Sequence, residues 1–331
     1  MRQRGRLGER EIIEIIQGKL DLMPGMPVPF GDDVSACSLG NGRLAVLKTD
    51  MLVGRTDVPS GMSLWQAARK AVVMNVSDFA AKGVKPLAML VSLGLPNGLG
   101  KEEIEQIGKG LNAGAREYGS YIIGGDTGEA TDLTISLSVF GVAEKGEMPL
   151  RGGARHGDVV AVTGFFGKTS AGLKILVNSL EAPQGIREAL VSSVLMPHAR
   201  LSEGLALNGT RAVTAAIDSS DGLAWSLHQI AMASNVGMIL DRLPVAPEAK
   251  ALAKTGKLNS TELALYGGEE YELVLTIKPR LWSKAENAAE KAGGKLSRIG
   301  KVTRTHNIVL QIGGKRIVVE PRGYEHFVHN A

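Results

Sequence analysis

Residues 63–82 are apolar on nearly every face, with Trp65, Ala68, Ala71, Val72, Val76 and Phe79 among them, yet Asp78 stands in their midst. The stretch predicts a long buried helix, closed by Gly83 and then Pro86. An ionised carboxylate inside such a helix costs several kcal/mol unless the fold brings it a partner. The same oddity recurs along the chain. Asp33, Asp50, Asp126, Asp218 and Asp221 each fall beside a short apolar strand or in a glycine-bearing turn. For any one aspartate, helix capping or a salt bridge is explanation enough. Six placed this way point to a shared purpose. No basic residues are interleaved with them, which implies a cation from outside. Carboxylates without accompanying His or Cys suit a hard ion, and Mg²⁺ shared with phosphate oxygens is the usual case.

The glycines extend the pattern. They number 42 of 331 residues and show no collagen period, so they belong to turns, caps or close approaches of backbone to a ligand. Gly124-Gly125-Asp126-Thr127-Gly128 follows the short strand 121–123 and reads as a turn whose N–H groups reach an anion. Asp218-Ser219-Ser220-Asp221-Gly222, between the strand 213–217 and a helix to about residue 234, offers carboxylates, a hydroxyl and a positive helix end. Together they imply a site for a polyphosphate with several Mg²⁺ ions. Gly164-Phe165-Phe166-Gly167-Lys168-Thr169 only imitates a phosphate loop, since two residues separate its glycines where four are required. The histidines show no metal-ligand spacing, and there is no Gly-x-Ser-x-Gly elbow.

Length and composition bound the rest. At about 150 residues per domain the chain is expected to form two domains. Helical and strand patterns mix in both halves, giving an α/β (α+β) class. The turn-rich stretch 144–158 is the candidate boundary, dividing an N-terminal domain (1–148) from a C-terminal one (149–331). Lys and Arg exceed Asp and Glu by only 38 − 34 = 4, too little for a nucleic-acid polyelectrolyte. Cys37 is the one cysteine, which excludes a disulfide within the chain and favours a reducing compartment. No apolar run approaches membrane-spanning length. A cytoplasmic protein is expected.

The aspartate motifs occur in an order that resembles a known family. Gly31-Asp32-Asp33, Thr49-Asp50-Met51-Leu52-Val53, Asn75-Val76-Ser77-Asp78-Phe79-Ala80-Ala81-Lys82-Gly83, Gly124-Gly125-Asp126-Thr127 and Asp218-Ser219-Ser220-Asp221-Gly222-Leu223 are followed by Gly267-Gly268-Glu269-Glu270-Tyr271-Glu272-Leu273 and Gly323-Tyr324-Glu325-His326-Phe327. This set resembles the thiamine-monophosphate kinase family, within the superfamily that holds aminoimidazole ribonucleotide synthetase and selenophosphate synthetase. The Asp-rich N-terminal motifs are shared across that superfamily; the last two point to the kinase.

The resemblance implies a kinase with an N-terminal domain that dimerises through its sheet, ATP near the dimer interface, and a C-terminal α/β domain closing over it. By motif position, Asp33, Thr49, Asp50, Asp78, Asp126 and Asp218 would hold Mg²⁺, and Asp221 a further ion. Gly125, Asp126, Arg151 and Ser220 would contact ATP; Glu269 and Tyr324 would contact thiamine monophosphate. Asp57 stands where the family usually has a substrate-binding His, Lys48 where Ser or Thr is common, and Glu270 and Glu325 where Asp is usual. The implied reaction moves the γ-phosphoryl of ATP to a phosphate that is already ionised, so no general base is required. A sister synthetase with another acceptor, or a non-catalytic binder of phosphate ligands, would share the metal motifs.

Overall fold

The computed structural model describes residues 7–327. The first half comprises α1 (Glu9–Gln17), β1 (Ser35–Gly40), β2 (Arg43–Val53), α2 (Gly54–Asp57) and α3 (Leu64–Lys82). It continues with β3 (Pro86–Leu95), α4 (Lys101–Glu117), β4 (Ile122–Glu129) and β5 (Thr134–Glu144). The second half opens with β6 (Val159–Val162), α5 (Lys168–Asn178), α6 (Gln184–Leu195), α7 (Leu201–Gly209), β7 (Val213–Asp218) and α8 (Leu223–Ser234). After β8 (Gly237–Leu240) come α9 (Pro247–Thr255), α10 (Ser260–Tyr266), β9 (Leu273–Ile277), α11 (Trp282–Lys291), β10 (Ser297–Thr303), β11 (Ile308–Ile312) and β12 (Lys315–Val318). None of these helices is long and apolar enough to cross a membrane.

The strands form two sheets, of order β1-β2-β5-β3-β4 and β12-β11-β8-β10-β6-β9-β7. Only β3–β4 and β8–β11 run parallel. The mixed α/β expectation holds, and so does the helix around Asp78. Ser63 starts that helix with a reciprocal capping box to Gln66, and Gly83 ends it at φ 59°, a conformation that costs a β-carbon residue energy. Helix α3 is buried almost throughout because it packs on β2 and β5 at one side and on α7 and β7 at the other. One apolar core therefore runs from the first sheet through α3 to Ala216, Leu273 and Leu275 of the second sheet. A separate core lies on that sheet's opposite face, under α5, α8, α9 and α10.

Two strand readings need correction. The apolar run 44–47 predicts a short strand ending at Thr49-Asp50, but β2 continues to Val53, paired with β5 along its length. Nor do Gly124 and Gly125 form a turn: they lie within β4, hydrogen-bonded to β3. At Gly125 a β-carbon would stand 1.9 Å from the carbonyl oxygen of Val91, so the glycine serves close strand packing, not a reversal of the chain.

Glu270 has a structural duty. Its Oε1 accepts hydrogen bonds from the N–H of Gly167 at 2.6 Å and of Thr169 at 3.2 Å, tying the start of α5 to the 267–273 segment. Burial pushes its pKa from 4.5 up to about 8, against the pull of the Gly167 N–H. A carboxyl raised on folding favours the folded state below 4.5 and loses that advantage as pH climbs through about 8. Glu270→Gln keeps the acceptor and removes the charge. Relative to the parent it is expected to gain a few kcal/mol of stability between pH 5 and pH 9, at about 1.4 kcal/mol per pKa unit. Denaturant melts at the two pH values check this; a pH-independent difference would refute it.

Candidate active site

The predicted aspartates converge where α3 meets both sheets. Asp33 comes from the loop before β1, Asp78 from α3 and Asp218 from the end of β7. All three are buried, and one carboxylate oxygen from each lies within 4.8 Å of the others. Ser77, beside Asp78, donates from Oγ to Asp218 Oδ2 at 2.8 Å. Asn75, one turn earlier, accepts the N–H of Asp50 at 3.0 Å and so fixes β2 against the helix.

The expectation that basic residues stay away from this cluster fails. Lys48 Nζ pairs with Asp50 at 3.1 Å and Asp78 at 2.9 Å. Lys82 Nζ pairs with Asp32 at 2.6 Å and Asp33 at 2.8 Å, and donates to the carbonyl of Ala216 at 2.8 Å. Arg151 clasps Asp33 Oδ1 through Nε and the terminal nitrogen, at 2.6 and 2.5 Å. The reason is geometric: alternation along β2 places residues 48 and 50 on one face, and the helical repeat places 78 and 82 on one side of α3. Arg151, expected to contact ATP, is thus largely engaged with Asp33 and with the carbonyl of Gly31 at 2.8 Å.

The acidic charge is still only partly offset. Burial works against an ionised Asp33, but Lys82 and Arg151 prevail and hold it below the ordinary carboxylate value. Burial lifts Asp78 well above that value despite Lys48, with Asp218, Asp50 and Asp33 adding repulsion. Burial and the charge of Asp33 raise Asp218 to about 7. Burial and Glu9 raise Asp221 to about 6. Asp33 Oδ2 is buried with the Lys82 ammonium 2.8 Å away as its partner among the described residues. An all-oxygen donor set with surplus negative charge fits a hard divalent cation.

Thr49 and Asp126 do not join this cluster. The same alternation that turns Lys48 and Asp50 toward α3 turns Thr49 to the sheet's other face, where its hydroxyl donates to the Leu137 carbonyl at 2.8 Å. Asp126 is paired in register with Ser92 on the exposed edge strand β4. That outer face carries exposed Leu47, Met51 and Leu90.

A cavity of about 610 Å³ is lined by Lys48, Asp50, Asp78, Arg151, Asp218, Ser220 and Asp221, with Glu9 and Ile13 of α1 also on its wall. A second, of about 300 Å³, is lined by Leu173, Val177, Glu269 and Tyr324. The two share Thr56, Asp57, Met74, Ser220, Asp221, Tyr271 and His326, so an acidic chamber opens into a more apolar one. Backbone bonds hold the shared wall: the N–H of Glu269 donates to the Ser220 carbonyl at 2.6 Å and that of Tyr324 to the Asp221 carbonyl at 2.9 Å. Glu269 and Tyr271 adopt φ of 62° and 52°, strain of about 1–3 kcal/mol each that the surrounding bonds impose.

The three residues expected to meet the acceptor, Asp57, Glu269 and Tyr324, line this second cavity. Asp57 Oδ2 accepts the Val53 N–H at 2.7 Å, bracing α2. Sequence reasoning missed Lys70, which is fully buried on α3, pairs with Glu269 and donates to the Asp57 carbonyl at 2.8 Å. Its signal was available: a lysine within the same apolar helix that made Asp78 conspicuous.

Residues 31–143 match the family model described as AIR synthase related protein, N-terminal domain, and residues 155–313 match the corresponding C-terminal domain. A relative from Nitrosopumilus maritimus named thiamine-monophosphate kinase is 35% identical, over 97% of this chain and 99% of its own. One of the same name from Pyrococcus horikoshii is 40% identical over 75% of this chain and 77% of its own. A solved structure described as AaThiL complexed with AMPPCP and TMP superposes with a TM-score of 0.84 at 28% identity, covering 97% of each chain. The chain, a phosphotransferase with the two-domain fold its aspartate motifs implied, belongs to the thiamine-monophosphate kinase family.

Proposed function

We propose that the protein transfers the γ-phosphoryl of ATP to thiamine monophosphate by direct in-line displacement, yielding thiamine diphosphate and ADP. The observation that carries this is the junction of the two cavities: an acidic chamber suited to phosphates and metal continues into a pocket suited to a small aromatic molecule. Asp33, Asp50, Asp78, Asp218 and Asp221 would hold Mg²⁺, with Thr49 and Asp126 assigned by resemblance alone. Bound there, Mg²⁺ supplies the charge screening that lets two polyanions approach. Gly125, Asp126, Arg151 and Ser220 are assigned to ATP. Tyr324 offers its ring face to the cationic thiazolium. Glu269, its charge matched by Lys70, shapes the pocket more than it attracts.

Mixing the protein with ATP carrying a labelled γ-phosphate, Mg²⁺ and thiamine monophosphate tests the reading. Label in the terminal phosphate of thiamine diphosphate is the expected result. Inactivity with this acceptor, and turnover with an aminoimidazole precursor or selenide, would assign the chain to a sister branch.

Asp57 separates the two substrates. Asp57→Ala removes both the bond to the Val53 N–H and a carboxylate at the mouth shared by the cavities. It is expected to raise the acceptor KM about tenfold, a loss of about 1.4 kcal/mol, and leave the ATP KM unchanged. Asp57→Asn, which retains an acceptor for that N–H, isolates the charge. Unchanged acceptor KM in both variants would remove Asp57 from the site.

We further infer a homodimer in which a second copy covers the outer face bearing Leu47, Met51 and Leu90. The domain boundary is placed near residue 148 and the protein in the cytoplasm.

A further inference from the structure

We propose that Lys48 is a resident cation of the acidic centre: its ammonium, held between Asp50 and Asp78, fills a position a divalent ion would otherwise take, so this chain binds one divalent ion fewer than a variant lacking that ammonium. The inference rests on the phosphotransferase reading and deepens it.

The two contacts, 3.1 Å to Asp50 and 2.9 Å to Asp78, are ion pairs of hydrogen-bonding length. Both ends are fixed by rigid elements. Lys48 is paired with Val139 of β5, and the pairing of β2 with β1 reaches its neighbour Leu47, so its backbone cannot retreat. Asp50 is pinned to α3 through Asn75, and Asp78 lies on that helix three residues further along. The lysine side chain is only 19% exposed, so leaving would abandon two carboxylates with little water to replace them.

The partners of the aspartates show where room for ions remains. Asp33 already faces two cations, Lys82 and Arg151. Asp50 and Asp78 share Lys48. Among the described residues, the Asp218 carboxylate receives a hydroxyl, from Ser77, and no cation. Divalent ions are therefore directed toward Asp218, Asp221 and the oxygens of Asp33, Asp50 and Asp78 that Lys48 does not take, and the gap between Asp50 Oδ1 and Asp78 Oδ2 is closed to them. Unlike a bound metal, an ammonium on a strand cannot be chelated away.

Counting ions tests this without reference to turnover. The parent and Lys48→Met are titrated with Mn²⁺ in the presence of a non-hydrolysable ATP analogue and thiamine monophosphate, free Mn²⁺ being read by electron paramagnetic resonance. Lys48→Met is expected to bind one Mn²⁺ more per chain than the parent, and Lys48→Arg, which restores a cation, to match the parent. Lys48→Gln, neutral but able to hydrogen-bond Asp50, replaces the Met variant if that one does not fold. Equal non-zero counts in the parent and the neutral variant would overturn the proposal alone. No nucleotide-dependent Mn²⁺ binding in either would overturn the phosphotransferase reading with it.

Discussion

Free thiamine, offered with saturating ATP and Mg²⁺, is expected to give no measurable phosphorylated product, while thiamine monophosphate is converted steadily. The difference should reach about 10⁴-fold in kcat, the upper range of what a missing general base costs. Thiamine brings a hydroxyl of high pKa, and stripping its proton needs a base poised beside it. The carboxylates at the acidic centre are assigned to Mg²⁺, Asp221 among them, and the other four already have partners. Asp33 is bound by Lys82 and Arg151, Asp78 and Asp50 share Lys48, and Asp218 accepts from Ser77. A phosphate monoester arrives with its nucleophilic oxygen already ionised, since its second pKa is about 6. The loss should fall on kcat as well as binding, because the missing phosphate is the reacting group and not a remote handle. Thiamine and its monophosphate turning over at comparable rates would sink the argument and send the search for a base back to these aspartates.

Asp78→Asn is expected to lower kcat/KM about 10³-fold while leaving the circular dichroism spectrum unchanged, as removal of one strong electrostatic element does elsewhere. The amide occupies the carboxylate's space, so the packing of α3 survives. Lys48 keeps Asp50 as a partner, so no buried ammonium is stranded. What disappears is the charge that Asp78 contributes beside Asp33 and Asp218. Asp126→Asn belongs in the same assay. Asp126 stands on the exposed edge strand, so an equal loss there would show that the catalytic unit extends to the outer face of the sheet. Near-normal activity of Asp78→Asn at saturating Mg²⁺ would refute the metal assignment.

How much of this was legible in the sequence depends on whether the signal was local. Helix α3 was, because its length, its Gly83 stop and its apolar faces are all consecutive. The convergence of Asp33, Asp78 and Asp218 could be suspected from their awkward local settings, since buried charge must find company. Part of that company could be too: Lys48 shares a strand face with Asp50 and Lys82 a helix side with Asp78, whereas Arg151 reaches Asp33 only through packing. Gly124-Gly125 misled for a related reason: glycine marks both turns and close strand contacts, and the choice between them is made by the neighbouring strand. Strands β8 and β10 went unread because, at four and seven residues, neither shows clean alternation; both are buried by neighbours on two sides.

Helix α3 also acts as a ruler. Lys70 stands at the aromatic pocket, Asp78 at the acidic centre, and Lys82 at the seam with Ala216 of the second sheet. Eight residues separate the first two, about 12 Å along the axis at 1.5 Å per residue, and four separate the last two. One inserted residue between Lys70 and Asp78 would lengthen the gap by about 1.5 Å and swing the two ends about 100° apart. No side-chain adjustment recovers that phase. The spacing between the two cavities is thereby written into the count of residues along one helix. Evolution can vary what the pocket holds at either end, but a change in that count would break both ends at once.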